Sequence, residues 1–211
     1  MVDCCRFCQI ARGHYTYPNV DEPLMYSDNY LAIASIGALT EGWSLVVPIT
    51  HTLSLKSYYE ESHFAEFTSK VLDPLVSYYG PIVAFEHGAR YEGSVTACGT
   101  NHAHLHLVPL CESLEAKVLT YGLNWKKCKS SEISAAVGEK EYLFCVDLKH
   151  SQEWNDPLGL LHIVEEPISQ FFRRVIADTL RDVGNFDYKQ NPRVETSEKT
   201  KQRLEPLAVS D

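Results

Sequence analysis

The run His102-Ala103-His104-Leu105-His106, continued by Leu107-Val108-Pro109-Leu110, constrains this chain more than any other segment. It alternates, and alternation is the mark of a half-buried strand. On a strand, successive side chains point to opposite faces. The three imidazoles therefore share one face, while Ala103, Leu105 and Leu107 turn into a core. Three neutral imidazoles at steps of roughly 7 Å are an odd filling for a hydrophobic interior. The apolar alternation also argues against a strand that is merely solvated. Two chemistries fit: one metal held by all three rings, with an outside carboxylate or histidine, or one ring attacking phosphorus while its neighbours hold phosphate oxygens. The motif alone leaves both open.

The surrounding pattern predicts an α+β chain. Leu24–Ser27 and Tyr30–Ala34 read as short strands joined by a turn at Asp28-Asn29, and WSLVVPITH reads as a strand ended by Pro48. Residues 57–79 carry Phe64, Phe67, Val71, Leu75 and Tyr78 at steps of three and four, which predicts a helix. Pro74 inside that stripe is expected to kink or interrupt it near its end. PIVAFEHG reads as a buried strand and residues 89–100 as a loop of small residues. Beyond Cys111, EYLFCVDL and LLHIVEE are strand-like. A helix is expected through Phe171, Phe172, Val175, Ile176 and Leu180, ending near Gly184. Residues 189–211, polar and charged, predict a loose or partner-dependent tail. The expected division is a core over 1–110, an extension packed on it over 111–188, and the tail.

Composition narrows the function classes. The formal net charge is −9 over 211 residues. An acidic surface disfavours non-specific binding to nucleic acid, although a local site can still attract a small nucleotide. No apolar run approaches the roughly 18 residues of a membrane span, and Met1 to Cys8 lacks an apolar signal core, so a cytoplasmic location with no membrane partner is expected. Seven cysteines, an odd number clustered at Cys4, Cys5 and Cys8, do not suggest a disulfide framework. Cys5-x-x-Cys8 has the spacing of half a zinc site.

Several segments, in order, resemble the histidine triad superfamily. These are CRFCQIARG near the N-terminus, YLAIASIGALTEGWSLVVPITH, FEHG, and HAHLHLVP, together spanning about residues 4–110. QFFRRVIADTL, within 141–188, more loosely resembles the C-terminal extension of larger relatives. The resemblance implies an antiparallel sheet with the 57–79 helix on one face and a strand/helix extension. It implies that His104 attacks the α-phosphorus of a nucleotide anhydride, ester or phosphoramidate, forming a covalent nucleotidyl-histidine. His106 would hold phosphoryl oxygens, and a backbone carbonyl behind His104 would select the nitrogen facing phosphorus. It further implies a structural Zn2+ bound by Cys5, Cys8, His51 and His102, with Cys4 a rival thiolate, and a homodimer. The acceptor (water, another nucleophile, or phosphate in a phosphorylase) stays open, as do a non-catalytic nucleotide-binding scaffold and a mononuclear metalloenzyme.

The chain departs from the family pattern where substrate is gripped. Ala34-Ser35-Ile36 holds no carboxylate for a ribose, Glu86 replaces an asparagine, and Cys98-Gly99 replaces a polar pair. Phe7, Ile10 and Ile33 are candidates for a base pocket or for core, Thr100 and Asn101 for phosphate donors, and Glu86 for a sugar or cation contact. Arg173 and Arg174, next to Phe171 and Phe172, are candidates for reaching a phosphate across a dimer or cleft, with exposed arginines on an amphipathic helix as the favoured reading. His87 stands near the site without a partner pattern, and Cys98 reads as a buried thiol.

Overall fold

A computed structural model describes residues 5–97 and 100–204. The expectations for Cys4, Cys98 and Gly99 fall outside the described residues.

The strands are β1 (Met25–Tyr26), β2 (Tyr30–Ala34), β3 (Ser44–Pro48), β4 (Ile82–Gly88), β5 (Leu105–Pro109), β6 (Lys126–Lys129), β7 (Tyr142–Lys149) and β8 (Leu158–Ile163). They form one sheet in the order β1-β2-β3-β5-β4-β7-β8-β6, antiparallel at every neighbouring pair. The helices are α1 (Arg6–Ala11), α2 (Pro18–Asp21), α3 (Ser62–Tyr79), α4 (Leu114–Val118), α5 (Ile133–Val137), α6 (Phe171–Thr179) and α7 (Val194–Leu204). The α+β class and antiparallel sheet expected from the sequence are observed. No described helix is long and apolar enough to cross a membrane.

Period-two alternation sorts the strand residues onto two buried faces. Tyr30, Ala32, Val46, Ala84, Leu105, Leu107 and Phe144 pack against α3 through Phe64, Phe67, Val71, Leu72 and Leu75. Leu31, Ile33, Leu45, Phe85, Val108 and Leu143 pack on the other side against Phe7 of α1, Leu114 of α4 and Phe172, Val175 and Ile176 of α6. Both faces are covered, so the central strands carry few solvated positions.

Three expectations need correction. First, α3 runs through Pro74 to Tyr79 and stops at Gly80, whose N–H donates to the Val76 carbonyl at 2.9 Å. Its buried stripe continues on both sides of the proline, so packing offsets the lost backbone bond. Leu72 joins that stripe, while Tyr78 is half exposed. Second, β5 begins at Leu105; His102 and His104 precede it in non-strand backbone, although Ala103 still enters the core beside Leu105. Third, residues 194–204 of the polar tail form α7 and dock. Ser197 Oγ donates to the Ser35 carbonyl at 2.5 Å, Thr200 Oγ1 accepts from the Gly42 N–H at 2.9 Å, and Lys201 meets Glu22 at 2.5 Å. Its buried stripe of Ser197, Thr200 and Lys201 looks hydrophilic because it satisfies backbone and charge rather than burying hydrocarbon.

Candidate functional site

The site lies on the α6 side of the sheet, where β3, β4 and β5 end against α1. One part is a potential metal centre. The side chains of Cys5, Cys8, His51 and His102 converge with their ligand atoms all within 4.8 Å of one another. Cys5 Sγ lies 3.3 Å from His102 Nδ1, Cys8 Sγ 3.5 Å from the same nitrogen, and Cys8 Sγ 3.3 Å from His51 Nδ1. Zn–S bonds of roughly 2.3 Å and Zn–N bonds of roughly 2.0 Å at tetrahedral angles put sulfur and nitrogen about 3.5 Å apart. The donor set therefore fits a closed tetrahedral ion. His102 Nε2–H donates to the Pro48 carbonyl at 2.8 Å, which turns the Nδ1 lone pair toward the sulfurs. Burial, then the neighbouring Cys5, pushes the Cys8 thiol up to about 11. A divalent cation would reverse that preference and hold both sulfurs as thiolates.

The other two triad histidines are fixed differently. The His104 Nδ1 contacts the His102 backbone carbonyl at 2.8 Å. A carbonyl only accepts, so Nδ1 carries the proton and Nε2 keeps its lone pair. His106 Nδ1 lies 2.9 Å from Trp43 Nε1. An indole N–H only donates, so here Nδ1 holds the lone pair and Nε2 carries the proton. Phe85 stacks on the His106 ring at 4.2 Å and 17°, which fixes its orientation. The two rings stand 4.6 Å apart. Adjacent imidazoles thus present opposite functions, a lone pair on His104 and a donor on His106. The trio does not converge on one ion, because only His102 belongs to the cysteine group.

A cleft opens over these rings. Arg6 and Phe7 of α1 line it, together with Ser35, Ile36, Leu45, His87, Thr100, His104, His106, Arg173 of α6 and Tyr188. No carboxylate is among them. Burial pushes His104 down to about 4; the His102 carbonyl opposes this, and Arg6 and Arg173 add to it. Burial likewise lowers His106 well below its ordinary range, with His104, His87 and Arg173 contributing. His102 is lowered to about 4 by burial, despite the Pro48 bond. The imidazoles are therefore held neutral. A neutral ring can attack or donate; Arg6 is ion-paired with the buried Asp21, and the Arg173 guanidinium, also lining the cleft, favours an anionic ligand.

The remaining candidate residues divide. Phe7 and Thr100 line the cleft, and Phe7 packs edge-on against His104 at 5.2 Å. Ile33 is fully buried in the core beneath. Asn101 turns away, its Oδ1 accepting from the Gly93 N–H at 3.0 Å. Glu86 is a correction. It is fully buried on the α3 face, opposite the cleft, because β4 alternates and its neighbours Phe85 and His87 take the cleft side. There it accepts from the Leu55 N–H at 2.6 Å, Tyr59 Oη at 2.8 Å and Tyr142 Oη at 2.6 Å. Arg173 is a second correction. It is buried, donating through Nε to the Phe186 carbonyl at 2.7 Å and through a second nitrogen to the Gly37 carbonyl, with its guanidinium 4.8 Å from the Trp43 ring. Its place on the cleft matches the alternative reading of the sequence, but its burial does not follow from the amphipathic α6, since it depends on residues 186 and 188 of the following segment. Tyr188, in that segment, was not signalled by any motif. Its hydroxyl reaches Thr100 Oγ1 at 3.4 Å across the cleft.

No family model matches the chain, and no curated protein matches it. Among solved structures, a Zn-bound histidine triad family protein from Mycobacterium smegmatis is similar at 22% identity and a TM-score of 0.35, over 52% of this chain and 76% of that one.

Proposed function

We propose that this chain is a histidine triad nucleotidyl hydrolase or transferase with His104 as nucleophile. The observation that carries the reading is the pair of opposed tautomers, His104 with a free Nε2 lone pair and His106 with an Nε2 donor, inside a cleft flanked by Arg6 and Arg173. A lone pair aimed into a cation-lined pocket suits attack on a phosphoryl centre. In the first step, the His104 Nε2–P bond forms and the bond from phosphorus to the leaving group breaks. His106 Nε2–H donates to an oxygen of the transferred phosphoryl as charge shifts onto it. In the second step, an acceptor such as water bonds to phosphorus and gives its proton to solvent, and the Nε2–P bond breaks with its electron pair returning to His104. The His102 carbonyl bonds the Nδ1 proton throughout and stabilises the positive ring of the intermediate.

Cys5, Cys8, His51 and His102 would hold a structural Zn2+, which supplies stability by tying α1 to the segment leading into β5. We assign the substrate as a small nucleotide, and a homodimer and a cytoplasmic setting accord with this reading.

The test is intact-mass analysis after incubation with the p-nitrophenyl ester of a nucleoside 5′-monophosphate. The reading expects release of p-nitrophenol and a nucleotidyl adduct that disappears in His104→Gly. An adduct that survives this change, or turnover that does not need His104, refutes it.

A further inference from the structure

His87 takes no part in the reaction described so far, yet it occupies the cleft. The β4–β5 ladder pairs Phe85 with His106. The printed pairs of that ladder end there; His87, two residues further along β4, shares the face of Phe85 and lines the same cleft as His104. The His87 ring lies 6.4 Å from His106 and packs edge-on against Phe172 at 5.0 Å. Its Nε2 is buried and makes no hydrogen bond within the described residues. A buried nitrogen without a partner is costly unless something else meets it. Here the residue lines a cleft that also holds Arg173 and Arg6, the latter ion-paired with the buried Asp21.

We propose that His87 is a further catalytic residue of this site, donating from Nε2–H to one equatorial oxygen of the transferred phosphoryl group while His106 donates to another. The assignment rests on the triad reading above. In an in-line displacement the attacking nitrogen and the leaving group occupy the two apices, and the other three oxygens lie around the equator. A side chain that flanks the nucleophile on the same sheet face reaches the equator and not the far apex. His106 follows His104 along the chain, the rings 4.6 Å apart, and His87 comes from the neighbouring strand β4, its ring 6.4 Å from that of His106. They approach from different directions and so meet different oxygens. A phosphoryl oxygen only accepts, so it selects the His87 tautomer with its proton on Nε2.

Sulfur accepts hydrogen bonds weakly, so replacing one nonbridging oxygen by sulfur silences the donor that faces it. The experiment uses the full chain, its His87→Ala and His87→Gln variants, and the p-nitrophenyl ester of a nucleoside 5′-monophosphate in its oxo, Rp-phosphorothioate and Sp-phosphorothioate forms. The wild type is expected to prefer one diastereomer. His87→Ala is expected to slow the oxo substrate ~100-fold and to shift the Rp/Sp rate ratio about tenfold toward the diastereomer whose sulfur faced His87, which has already lost that bond. His87→Gln, which keeps an N–H donor, is expected to shift that ratio less, and it carries the comparison if the alanine variant does not fold. A common factor on all three substrates would mean that His87 only supports the fold, and would overturn the proposal with the triad reading intact. Absence of both p-nitrophenol release and adduct in the wild type would overturn the triad reading, and this proposal with it.

Discussion

Substituting Glu86 by glutamine changes how stability depends on pH, and the structure sets both the size and the sign. The carboxyl is fully buried between α3 and the sheet. Burial raises it from 4.5 to about 7, although the Tyr142, Leu55 and Tyr59 donors pull the other way. In the unfolded chain it titrates as an ordinary carboxyl. Between the two values the folded state binds a proton that the unfolded state does not, so stability falls as pH rises through this window. The contribution is fully present below about pH 4.5 and is lost above about pH 7. At roughly 1.4 kcal/mol per pKa unit, its full span is on the order of 3 kcal/mol. Glutamine cannot titrate. Its carbonyl can accept from Leu55, and its amide can donate to the two tyrosine hydroxyls. The assay is urea denaturation of wild type and Glu86→Gln at half-unit pH steps from 4.5 to 8. The difference between the two curves removes every other titrating group, including the Cys5, Cys8, His51 and His102 cluster. The wild type is expected to lose stability relative to the variant by a few kcal/mol as pH rises. Parallel curves, or a wild type that gains, would show that the three donors outweigh burial and would refute the reasoning. Glu86→Ala strands the Leu55 N–H and two hydroxyls in a dry core and should cost about 3–5 kcal/mol at neutral pH.

Two further outcomes follow from the site. In the Cys5→Ser/Cys8→Ser double variant, metal analysis of the purified protein should fall from about one zinc per chain to none, with a lower melting temperature; unchanged stoichiometry would place the ion elsewhere. Trp43→Phe removes the only donor that fixes the His106 tautomer among the described residues, a bond worth about 1 kcal/mol. Adduct formation should slow by about tenfold while circular dichroism stays unchanged, and an unaltered rate would separate His106 from the indole.

How far the sequence exposes this arrangement depends on the range of the physics involved. The helix at α3 and the inward turn of Ala103, Leu105 and Leu107 are periodic over a few residues, so they can be read directly. Cys5 and Cys8 advertise each other by spacing, but nothing local ties them to His51 and His102; only the resemblance joins the four. Strand parity could have moved Glu86 off the cleft and His87 onto it, since Phe85 and His87 share one face of β4 and Glu86, between them, takes the other. The burial of Arg173 and the place of Tyr188 arise from the segment between α6 and α7 folding back over the cleft. That return is specified by single bonds from Arg173 to the Gly37 and Phe186 carbonyls, which no pattern of hydrophobicity encodes. α7 was hidden for a related reason, because its docking face is polar.

The opposed protonation of two neighbouring rings is most directly tested by a long-range 1H–15N correlation spectrum of the zinc-loaded protein at neutral pH, with His104→Gln and His106→Gln spectra to assign the signals. We expect His104 to show a protonated Nδ1 with a bare Nε2, and His106 the reverse. The same tautomer on both rings, or a charged His104, would contradict the account.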